Sequence, residues 1–298
     1  MDVSIIIVNY HSSDLINNCI DSIFEKISGV SYEIIIVDNA TENLTETIKS
    51  AADSRVKLIQ LHENIGFGMA NNAGFEIAAG RNIFFLNPDT LMINNAVGIL
   101  SDYLDEHPKT GAVGGNVYNS SHHPIISFSR HYPGIYEETN LLFHNALNRL
   151  FNPRSYYFNN SGKPMNVCWI TGADLMIPAS VIKATGGFSK AFFMYFEEVD
   201  LCHRINILGK KIVSVPDAEI THLVDATPKS SEVNLKVLKT WQESRLNYLK
   251  LNVRRWKIPV CNMLYSLHLH YKKIFHPCEI NKLRLKLYRE AVENSTAP

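Results

Sequence analysis

Short apolar runs that end in small polar residues recur along the first part of the chain. The clearest are "VSIIIVNY" from Val3, "YEIIIVDNA" from Tyr32 and "IFFLNPDT" from Ile83. Runs of this length without alternation are typical of strands that are buried on both faces of a parallel sheet. A further strand is predicted at "RVKLIQL", and apolar residues at helical spacing lie between the strands, for example over residues 16–24. This alternation predicts an α/β sandwich with a mostly parallel central sheet.

The pattern becomes less regular after His107. Strands are predicted at "GAVGGNVY", "MNVCWITGADLMIP" and "KKIVSVP", and residues 127–162 are interpreted as a loop with a short helix. From about residue 231 the chain has a helical pattern and is locally basic. We therefore expect an α/β domain over residues 1–230, with halves of about 1–115 and 116–230, and a basic helical appendage over residues 231–298.

Composition narrows the function classes. The chain has 298 residues, of which 46% are hydrophobic and 19% charged, as in an ordinary soluble globular protein. Lys+Arg 29 balance Asp+Glu 29, so no nucleic-acid partner is expected. The five cysteines are scattered without a CxxC pair, which indicates reduced thiols. The first apolar run is too short for a signal peptide and no later segment has the length of a bilayer span, so a cytoplasmic protein is expected.

Polar side chains follow several of the predicted strands. Pro88 ends the strand before it, so Asp89 is presented at the strand's carboxyl end. Open α/β sheets bind their ligands at that edge, and we expect a group of polar residues to gather there: Asn9, Asp38, Asn39, Asn64 and Asp89. Asp89 has a second interpretation, as the N-cap of the helix predicted around Val97.

The turn "ENIGFGMANNAG" almost matches a dinucleotide fingerprint. Gly66 and Gly68 fit, but Asn71 stands in place of the third glycine and the turn does not follow the first strand. A nicotinamide cofactor is therefore not expected. Amide side chains at the start of a helix suit a ribose or a diphosphate, and a plain loop rich in turn residues explains the same composition.

The segment "FFMYFEEVDLCHR" places three carboxylates in four positions. Glu197, Glu198 and Asp200 repel one another, and keeping them together in an aromatic region favours a cation site or a catalytic purpose. One of these carboxylates is suited to act as a general base toward an alcohol. The alternative is a solvated helix start in which Arg204 pairs with Asp200, four residues before it.

His222 ends the strand-like segment "VPDAEITH". A lone histidine is more often structural than a ligand. Together, Asp89 and His222 would hold a hard divalent cation, Mg2+ or Mn2+, whose remaining positions are filled by phosphate oxygens and water.

The order of these motifs resembles the family 2 inverting glycosyltransferases, specifically their rhamnosyltransferase-like branch. The segments that carry the resemblance are "IIIVNY", "IIVDNA", "ENIGFGMANNAG", "FFLNPDT", "ITGADLMIP", "GGFSKAFFMYFEEVDLCHR" and "VPDAEITH". They cover residues 3–222 in unbroken order, and the appendage lies outside the resemblance. The resemblance implies a GT-A fold, a Rossmann-like domain whose first half binds a nucleotide sugar and whose second half binds the acceptor.

The resemblance also implies a catalytic and a metal-binding group. Glu198 would be the catalytic base, a position at which Asp is the commoner residue of the family. Asn87-Pro88-Asp89 would occupy the place of the metal-binding Asp-x-Asp, with Asn where the first Asp is usual. Asp89 and His222 would hold the Mg2+ or Mn2+ ion.

Substrate-binding roles follow from the same resemblance. Asn9 and Tyr10 would line the nucleotide cleft and Asp38 would hydrogen-bond a pyrimidine base. Residues near the donor would further include Asn39, Asn64, Gly66, Asn71 and Asn87. Thr171 and Gly172 would shape the acceptor side. The base segment would be held in place by Glu197, Asp200 and Arg204.

The expected function is inverting transfer of a sugar from a nucleoside diphosphate donor, with dTDP-rhamnose as the best candidate. The acceptor would be a hydroxyl of a glycan or lipid-linked molecule in bacterial polysaccharide or O-antigen synthesis. Two alternatives are a nucleotidyltransferase, whose usual early loop with Arg and Lys is missing from "VNYHSSD", and a non-catalytic sugar-nucleotide-binding protein. The appendage would either adsorb to the anionic inner face of the plasma membrane or form a solvated helical hairpin. Such a hairpin would pack on the α/β domain or on a second subunit, as in a homodimer.

Overall fold

The computed structural model describes residues 1–40, 44–151, 156–223 and 235–296. Its strands are β1 (Val3–Asn9), β2 (Tyr32–Asp38), β3 (Val56–Gln60), β4 (Asn82–Leu86), β5 (Thr90–Met92), β6 (Thr110–Tyr118), β7 (Phe128–Ser129), β8 (Met165–Val167), β9 (Trp169–Ile170), β10 (Asp174–Pro178) and β11 (Lys211–His222). Its helices are α1 (Ser13–Lys26), α2 (Leu44–Thr47), α3 (Phe67–Glu76), α4 (Ala96–Glu106), α5 (Ile135–Leu142), α6 (Ala146–Phe151), α7 (Ala179–Thr185), α8 (Glu197–Ile207), α9 (Leu235–Asn252), α10 (Ile258–Phe275) and α11 (Glu279–Thr296).

The central sheet is mixed, with the strand order β3-β2-β1-β4-β10-β6-β11-β5, and β8 also pairs with β11. The first four of these strands run parallel, as do β6 and β11. β10 is antiparallel to both β4 and β6, and β5 is antiparallel to β11. The beginning of β10 therefore lies at the same edge of the sheet as the carboxyl end of β4.

Alternate residues of the strands fill two apolar layers. On β1, Ile5 and Ile7 pack with residues of α1 and α4, whereas Ile6 and Val8 pack with residues of α3 and α8. All four side chains are buried, each contributing roughly 1.5–3 kcal/mol relative to an exposed position. The predicted α/β sandwich with a central sheet is confirmed.

Two predicted elements differ from the structure. The run "MNVCWITGADLMIP" forms three short strands, β8, β9 and β10, because β9 leaves the central sheet to pair with β7. Residues 127–162 contain β7, α5 and α6 instead of a loop with one short helix. The capping interpretation of Asp89 is also wrong, since α4 begins at Ala96 with Asn95 at its N-cap.

Helices α9, α10 and α11 form a module, residues 235–296, that packs on the α/β domain. Arg245 of α9 forms a buried ion pair with Glu138 of α5 at 2.5 Å, and Asn252 donates a hydrogen bond to Asp200 of α8 at 2.9 Å. The predicted domain boundary at residues 230 and 231 lies outside the described residues. Among the helices that are described, none is long and apolar enough to cross a membrane.

Candidate functional site

The carboxyl ends of β1 and β2 form a buried polar pair. Asn9 and Asp38 are opposite in the register, and the Asn9 amide donates to Asp38 Oδ1 at 2.9 Å. Gln60 donates to Asp38 Oδ2 at 2.5 Å, and both Asn9 and Asp38 are almost fully buried. Both carboxylate oxygens of Asp38 already accept hydrogen bonds within the protein, and its predicted contact with a nucleobase stays a prediction.

Asn39 and Asn64 shape the turn before α3. The Asn39 amide donates to Asn64 Oδ1 at 2.9 Å, and Asn64 Oδ1 also accepts from the Gly66 N–H at 3.0 Å. Gly66 has a φ of +89°, and a Cβ there would lie 2.4 Å from the carbonyl oxygen of Phe193. Glycine is therefore required to let this turn touch the segment that leads to α8. Asn71 is buried behind the turn and donates to the Phe67 carbonyl at 3.0 Å.

A cleft of about 340 Å3 opens above these strand ends. Six of the predicted site residues line it: Tyr10, Asn39, Asn64, Gly66, Asn87 and Asp89. Sequence reasoning missed Phe67, Met194 and Lys236, which line it as well. Phe67 and Met194 lie within two of the quoted motifs, which was a signal for them, whereas Lys236 comes from α9 and lies outside every motif.

Sheet topology brings Asp89 and His222 together. The antiparallel pairing of β5 with β11 sets His222 opposite Thr90, next to Asp89. Asp89 Oδ1 lies 3.0 Å from His222 Nε2, and the Asn87 amide nitrogen lies 3.3 Å from the same ring nitrogen. One ring nitrogen can donate to Asp89 or accept from Asn87, but not both. Only one of these two hydrogen bonds can therefore form at a time, and the other side chain, Asn87 or Asp89, then lacks its bond to His222 Nε2.

The Asp89–His222 pair fits a divalent ion. Two neighbouring ligands about 2.1 Å from an octahedral ion are about 3.0 Å apart, which is the observed separation. Both side chains are partly exposed, at 14% and 20%. Within the described ranges, no group of three or more His, Cys, Asp or Glu residues could hold a metal. An ion here would share its remaining positions with oxygens of a bound ligand and water.

Glu197 and Glu198 begin α8, and their carboxyl groups lack full solvation. One oxygen of each carboxyl is buried without a hydrogen-bond partner. Burial raises the pKa of Glu198 to about 7, although backbone N–H groups at the helix start act in the opposite direction. Burial, together with the neighbouring Glu198, raises the pKa of Glu197 well above its usual range. Glu198 is therefore poised to accept a proton near neutral pH.

The segment before Glu197 is strained and is held by α9. Tyr195 and Phe196 have φ values of +70° and +68°, unusual for bulky residues. Ser244 donates to the Met194 carbonyl at 2.8 Å, and the Trp241 ring packs against Phe196. The module therefore takes part in positioning the candidate base.

Asp200 and Arg204 form an ion pair within α8. Arg204 Nε donates to Asp200 Oδ2 at 2.8 Å, and Asp200 is buried. Neither residue lines a cavity of the site; both anchor α8, as does Asn252 on the other Asp200 oxygen. A purely solvated helix start is thereby excluded for this segment.

A central cavity of about 710 Å3 adjoins the cleft. Phe67, Asn87 and Met194 line both spaces, so the two adjoin at these side chains. The other predicted residues of the central cavity are Thr171, Gly172, Glu197, Glu198 and His222. Thr171 and Gly172 reach it because they precede the reversed strand β10. The central cavity thus joins the Asp89–His222 pair to the candidate base.

Comparisons with known proteins identify the family of the chain. The family model described as "Glycosyl transferase family 2" matches residues 4–169. N-acetylglucosaminyl-diphospho-decaprenol L-rhamnosyltransferase of Mycobacterium tuberculosis is 26% identical over 63% of this chain, and rhamnosyltransferase WbbL of Escherichia coli is 24% identical over 74%. The match spans 83% of WbbL but 66% of the mycobacterial relative, just under two thirds of its length.

Solved structures show the same fold. A mannosyltransferase from Pyrobaculum calidifontis, in complex with GDP-Man and Mn2+, superposes with a TM-score of 0.58 at 16% identity, covering 99% of this chain and 76% of that one. GalNAc-T7 with UDP, GalNAc and Mn2+ superposes with a TM-score of 0.64 at 13% identity, covering 98% of this chain and 56% of that one. The predicted GT-A fold is confirmed. The family model matches more than half of the chain, which therefore belongs to glycosyl transferase family 2.

Proposed function

We propose that the chain is an inverting, metal-dependent glycosyltransferase. It would move a sugar, with rhamnose from dTDP-rhamnose as the first candidate, to a hydroxyl of a glycan or lipid-linked acceptor in bacterial polysaccharide or O-antigen synthesis. The rhamnosyltransferase names of the mycobacterial and Escherichia coli relatives support the sugar. One observation carries the proposal: a partly desolvated carboxylate, Glu198, lines the same central cavity as His222, whose ring lies 3.0 Å from Asp89 in the adjoining cleft.

Each residue then has a physical role. Tyr10, Asn39 and Asn64 bind the nucleoside in the cleft, and Lys236 offsets the charge of the diphosphate. Glu198 takes the proton from the acceptor hydroxyl, which attacks the anomeric carbon opposite the leaving diphosphate and inverts its configuration. Thr171 and Gly172 shape the space where the two reactants meet.

Asp89 and His222 are the residues that would hold the divalent ion. Mn2+ in both structural neighbours supports this assignment. When bound, the ion supplies positive charge where negative charge develops on the leaving group. The protein provides one carboxylate oxygen and one imidazole nitrogen in fixed positions.

A donor-hydrolysis screen tests the proposal. Purified protein is incubated with Mn2+ or Mg2+ and a panel of nucleotide sugars, and nucleoside diphosphate release is measured. We expect release from one donor, dependent on the metal, with a loss of roughly a hundredfold or more in Glu198→Gln and Asp89→Ala. Glu106→Gln and Asp102→Ala, exposed carboxylates on α4, are the matched controls.

Donor binding is measured by thermal shift in the same samples. A donor that stabilises the protein without turnover would favour a non-catalytic nucleotide-sugar-binding protein. If no nucleotide sugar either turns over or stabilises the fold, the proposed function is wrong.

We also propose that the outer face of α10 contacts an anionic lipid surface. Four exposed apolar residues lie along one side of the helix and the turn before it: Trp256, Met263, Leu267 and Ile274. Residues 235–296 carry 13 Lys and Arg against four Asp and Glu, a net +9 in a chain whose total is zero. An apolar stripe flanked by cations suits the interface of an anionic bilayer, and two such faces would repel one another in a dimer.

Vesicle sedimentation tests this contact. We expect the protein to pellet with vesicles that contain phosphatidylglycerol at low salt, and Met263→Ser/Leu267→Ser to weaken binding by roughly tenfold. Ile77→Ser, an exposed isoleucine on the α/β domain, is the control. Equal binding to pure phosphatidylcholine, or no binding at all, would rule out the proposed surface.

A further inference from the structure

A third cavity adjoins the central cavity and shares Glu198 with it. It has a volume of about 310 Å3, and we call it the aromatic cavity. Its aromatic lining comes from several parts of the fold: Tyr157, Trp169, Tyr195, Phe196, Trp241 and Tyr265. Trp241 and Tyr265 belong to the module, which therefore completes the cavity. The family match ends at residue 169 and does not reach them.

The charges around the aromatic cavity disfavour an anionic ligand. The guanidinium of Arg245 is already paired with Glu138, and Glu137 adds a further carboxyl group, which accepts a hydrogen bond from Tyr156. Burial lowers the pKa of His131, so its ring is neutral at pH 7. A phosphate would meet no uncompensated cation among the described lining residues, and its desolvation would be costly. The lining therefore favours an uncharged ligand.

An uncharged pyranose ring has the complementary chemistry. One face of such a ring presents C–H groups, which pack on aromatic side chains, while its hydroxyls bond polar groups at the edge of the site. Glu137, Ser129 and Asn145 provide polar groups at the wall of the cavity. The volume lies at the lower end of the range for small-molecule sites, which fits one ring and not an oligosaccharide.

The position of Glu198 connects this cavity to the chemistry. Glu198, Tyr195 and Ile126 line both the aromatic cavity and the central cavity, whereas His222 lines the central cavity and not the aromatic one. A general base must lie within hydrogen-bond distance of the proton that it removes. A ring in the aromatic cavity can direct a hydroxyl toward Glu198 while the donor occupies the central cavity.

We propose that the aromatic cavity is the acceptor subsite, where an uncharged pyranoside stacks on Trp241 and presents its hydroxyl to Glu198. This assignment rests on the proposed glycosyltransferase function and deepens it by naming the acceptor class. It also makes the module, and not only the α/β domain, a determinant of acceptor choice.

Trp241 is suited to be the stacking residue. It is only partly buried, yet its ring is fixed by Phe196, with centroids 5.5 Å apart at 64°, and by Tyr265, with centroids 5.9 Å apart. A ring that its neighbours already hold in place loses little rotamer entropy when a ligand binds. Phenylalanine would keep most of this stacking surface and alanine would remove it.

Tryptophan fluorescence tests the subsite directly. The chain has three tryptophans, and Trp256 is 65% exposed outside the cavity, so a Trp256→Phe background leaves Trp169 and Trp241 as reporters at its wall. The full chain is titrated with methyl glycosides of glucose, galactose, mannose, rhamnose and N-acetylglucosamine. We expect a saturable emission change with at least one of them, and none with sodium phosphate.

In the same background, Trp241→Ala should weaken that binding by roughly tenfold and Trp241→Phe by less than about threefold, with Trp169 as the reporter. Leu251→Ala, at an exposed residue of the same helix α9, is the control variant and should bind like its parent. Ile126→Arg, an exposed residue at the junction of the two cavities, blocks the entrance without disturbing the core and should also weaken binding. Thermal unfolding verifies that each variant is folded.

The outcomes separate this proposal from the proposed function. Undiminished binding in both Trp241→Ala and Ile126→Arg overturns the subsite. No response to any pyranoside, in protein that nucleotide sugars still stabilise, also overturns it and leaves the glycosyltransferase function standing. Pyranoside binding without any response to a nucleotide sugar supports the cavity and contradicts the function. No response to either ligand class contradicts both.

Discussion

Arg245→Met should destabilise the protein by about 4 kcal/mol. Arg245 and Glu138 are almost fully buried, and two guanidinium nitrogens donate to Glu138 Oε1 at 2.9 and 2.5 Å. Two charges about 4 Å apart at an effective dielectric constant of about 20 interact by about 4 kcal/mol. That value lies within the roughly 3–5 kcal/mol lost when one partner of a buried pair is removed. Loss of the contact between the guanidinium and the Tyr265 ring, at 4.1 Å, acts in the same direction.

The double variant Arg245→Met/Glu138→Leu should recover most of that loss. Removing both charges abolishes the uncompensated carboxylate, and apolar pairs often replace buried ion pairs at little cost. Urea unfolding followed by circular dichroism gives the free energy of unfolding of each variant. Lys239→Met on the same helix is the matched control, because Lys239 pairs with Glu243 at 3.8 Å on the surface and should change stability by less than about 0.5 kcal/mol. A cost below about 1 kcal/mol for Arg245→Met, or a double variant as unstable as the sum of the singles, would refute this reasoning.

Three further predictions concern the site and its surroundings. Glu198 must be ionised to act as a base, and its pKa is raised to about 7. Release of the nucleoside diphosphate should therefore increase with pH, reach half its maximum near pH 7 and level off about one pH unit higher; initial rates from about pH 5.5 to 8.5 check this, and a flat profile contradicts it. Burial raises the pKa of Glu137 to about 7, so between about pH 4.5 and 7 the folded state holds a proton that the unfolded state has lost, and stability falls as pH rises. Glu137→Gln should therefore be more stable than the parent by about 1–3 kcal/mol at pH 8 but not at pH 4 in urea unfolding, and an equal effect at both pH values would contradict this linkage. Gly66→Ala should lower the unfolding temperature and weaken donor binding, because the new Cβ meets the Phe193 carbonyl. Gly162→Ala is the control: Gly162 has a similar φ of +66° but no atom within 4 Å, so this variant measures the backbone strain alone. Equal losses of unfolding temperature in the two variants would exclude the clash with Phe193.

The first half of the fold was predictable because its strands carry a strong local signal. Each of β1, β2 and β4 contains an apolar run of four residues that leads directly to a polar residue, Asn9, Asp38 or Asn87, so the sheet edge and the placement of Asp89 followed from the sequence. The pairing of Asp89 with His222 depends on the β5–β11 register, for which the sequence has no local signal; the pair was suggested by the ligand chemistry of the two residues and by the resemblance.

Other features have no local signal. An apolar run does not encode the direction of a strand, so the reversal of β10 was not predicted. The positive φ values at Tyr195 and Phe196 occur where this segment contacts α9, and neither residue type favours that conformation. The aromatic cavity and the cleft residue Lys236 depend on how the module packs, which is a tertiary property that no motif records.

The place of β10 in the sheet has a consequence for folding during synthesis. The β3-β2-β1-β4 sheet has all its strands once residue 86 has left the ribosome, because these strands are consecutive in the chain. β6, by contrast, pairs only with β10 and β11 in the described structure, and β10 begins at residue 174, whereas β6 ends at residue 118. At roughly 5–20 residues per second the ribosome needs several seconds to make the intervening chain. During that interval β6 has two open edges, and a nascent chain stalled there should be the species that most needs a chaperone.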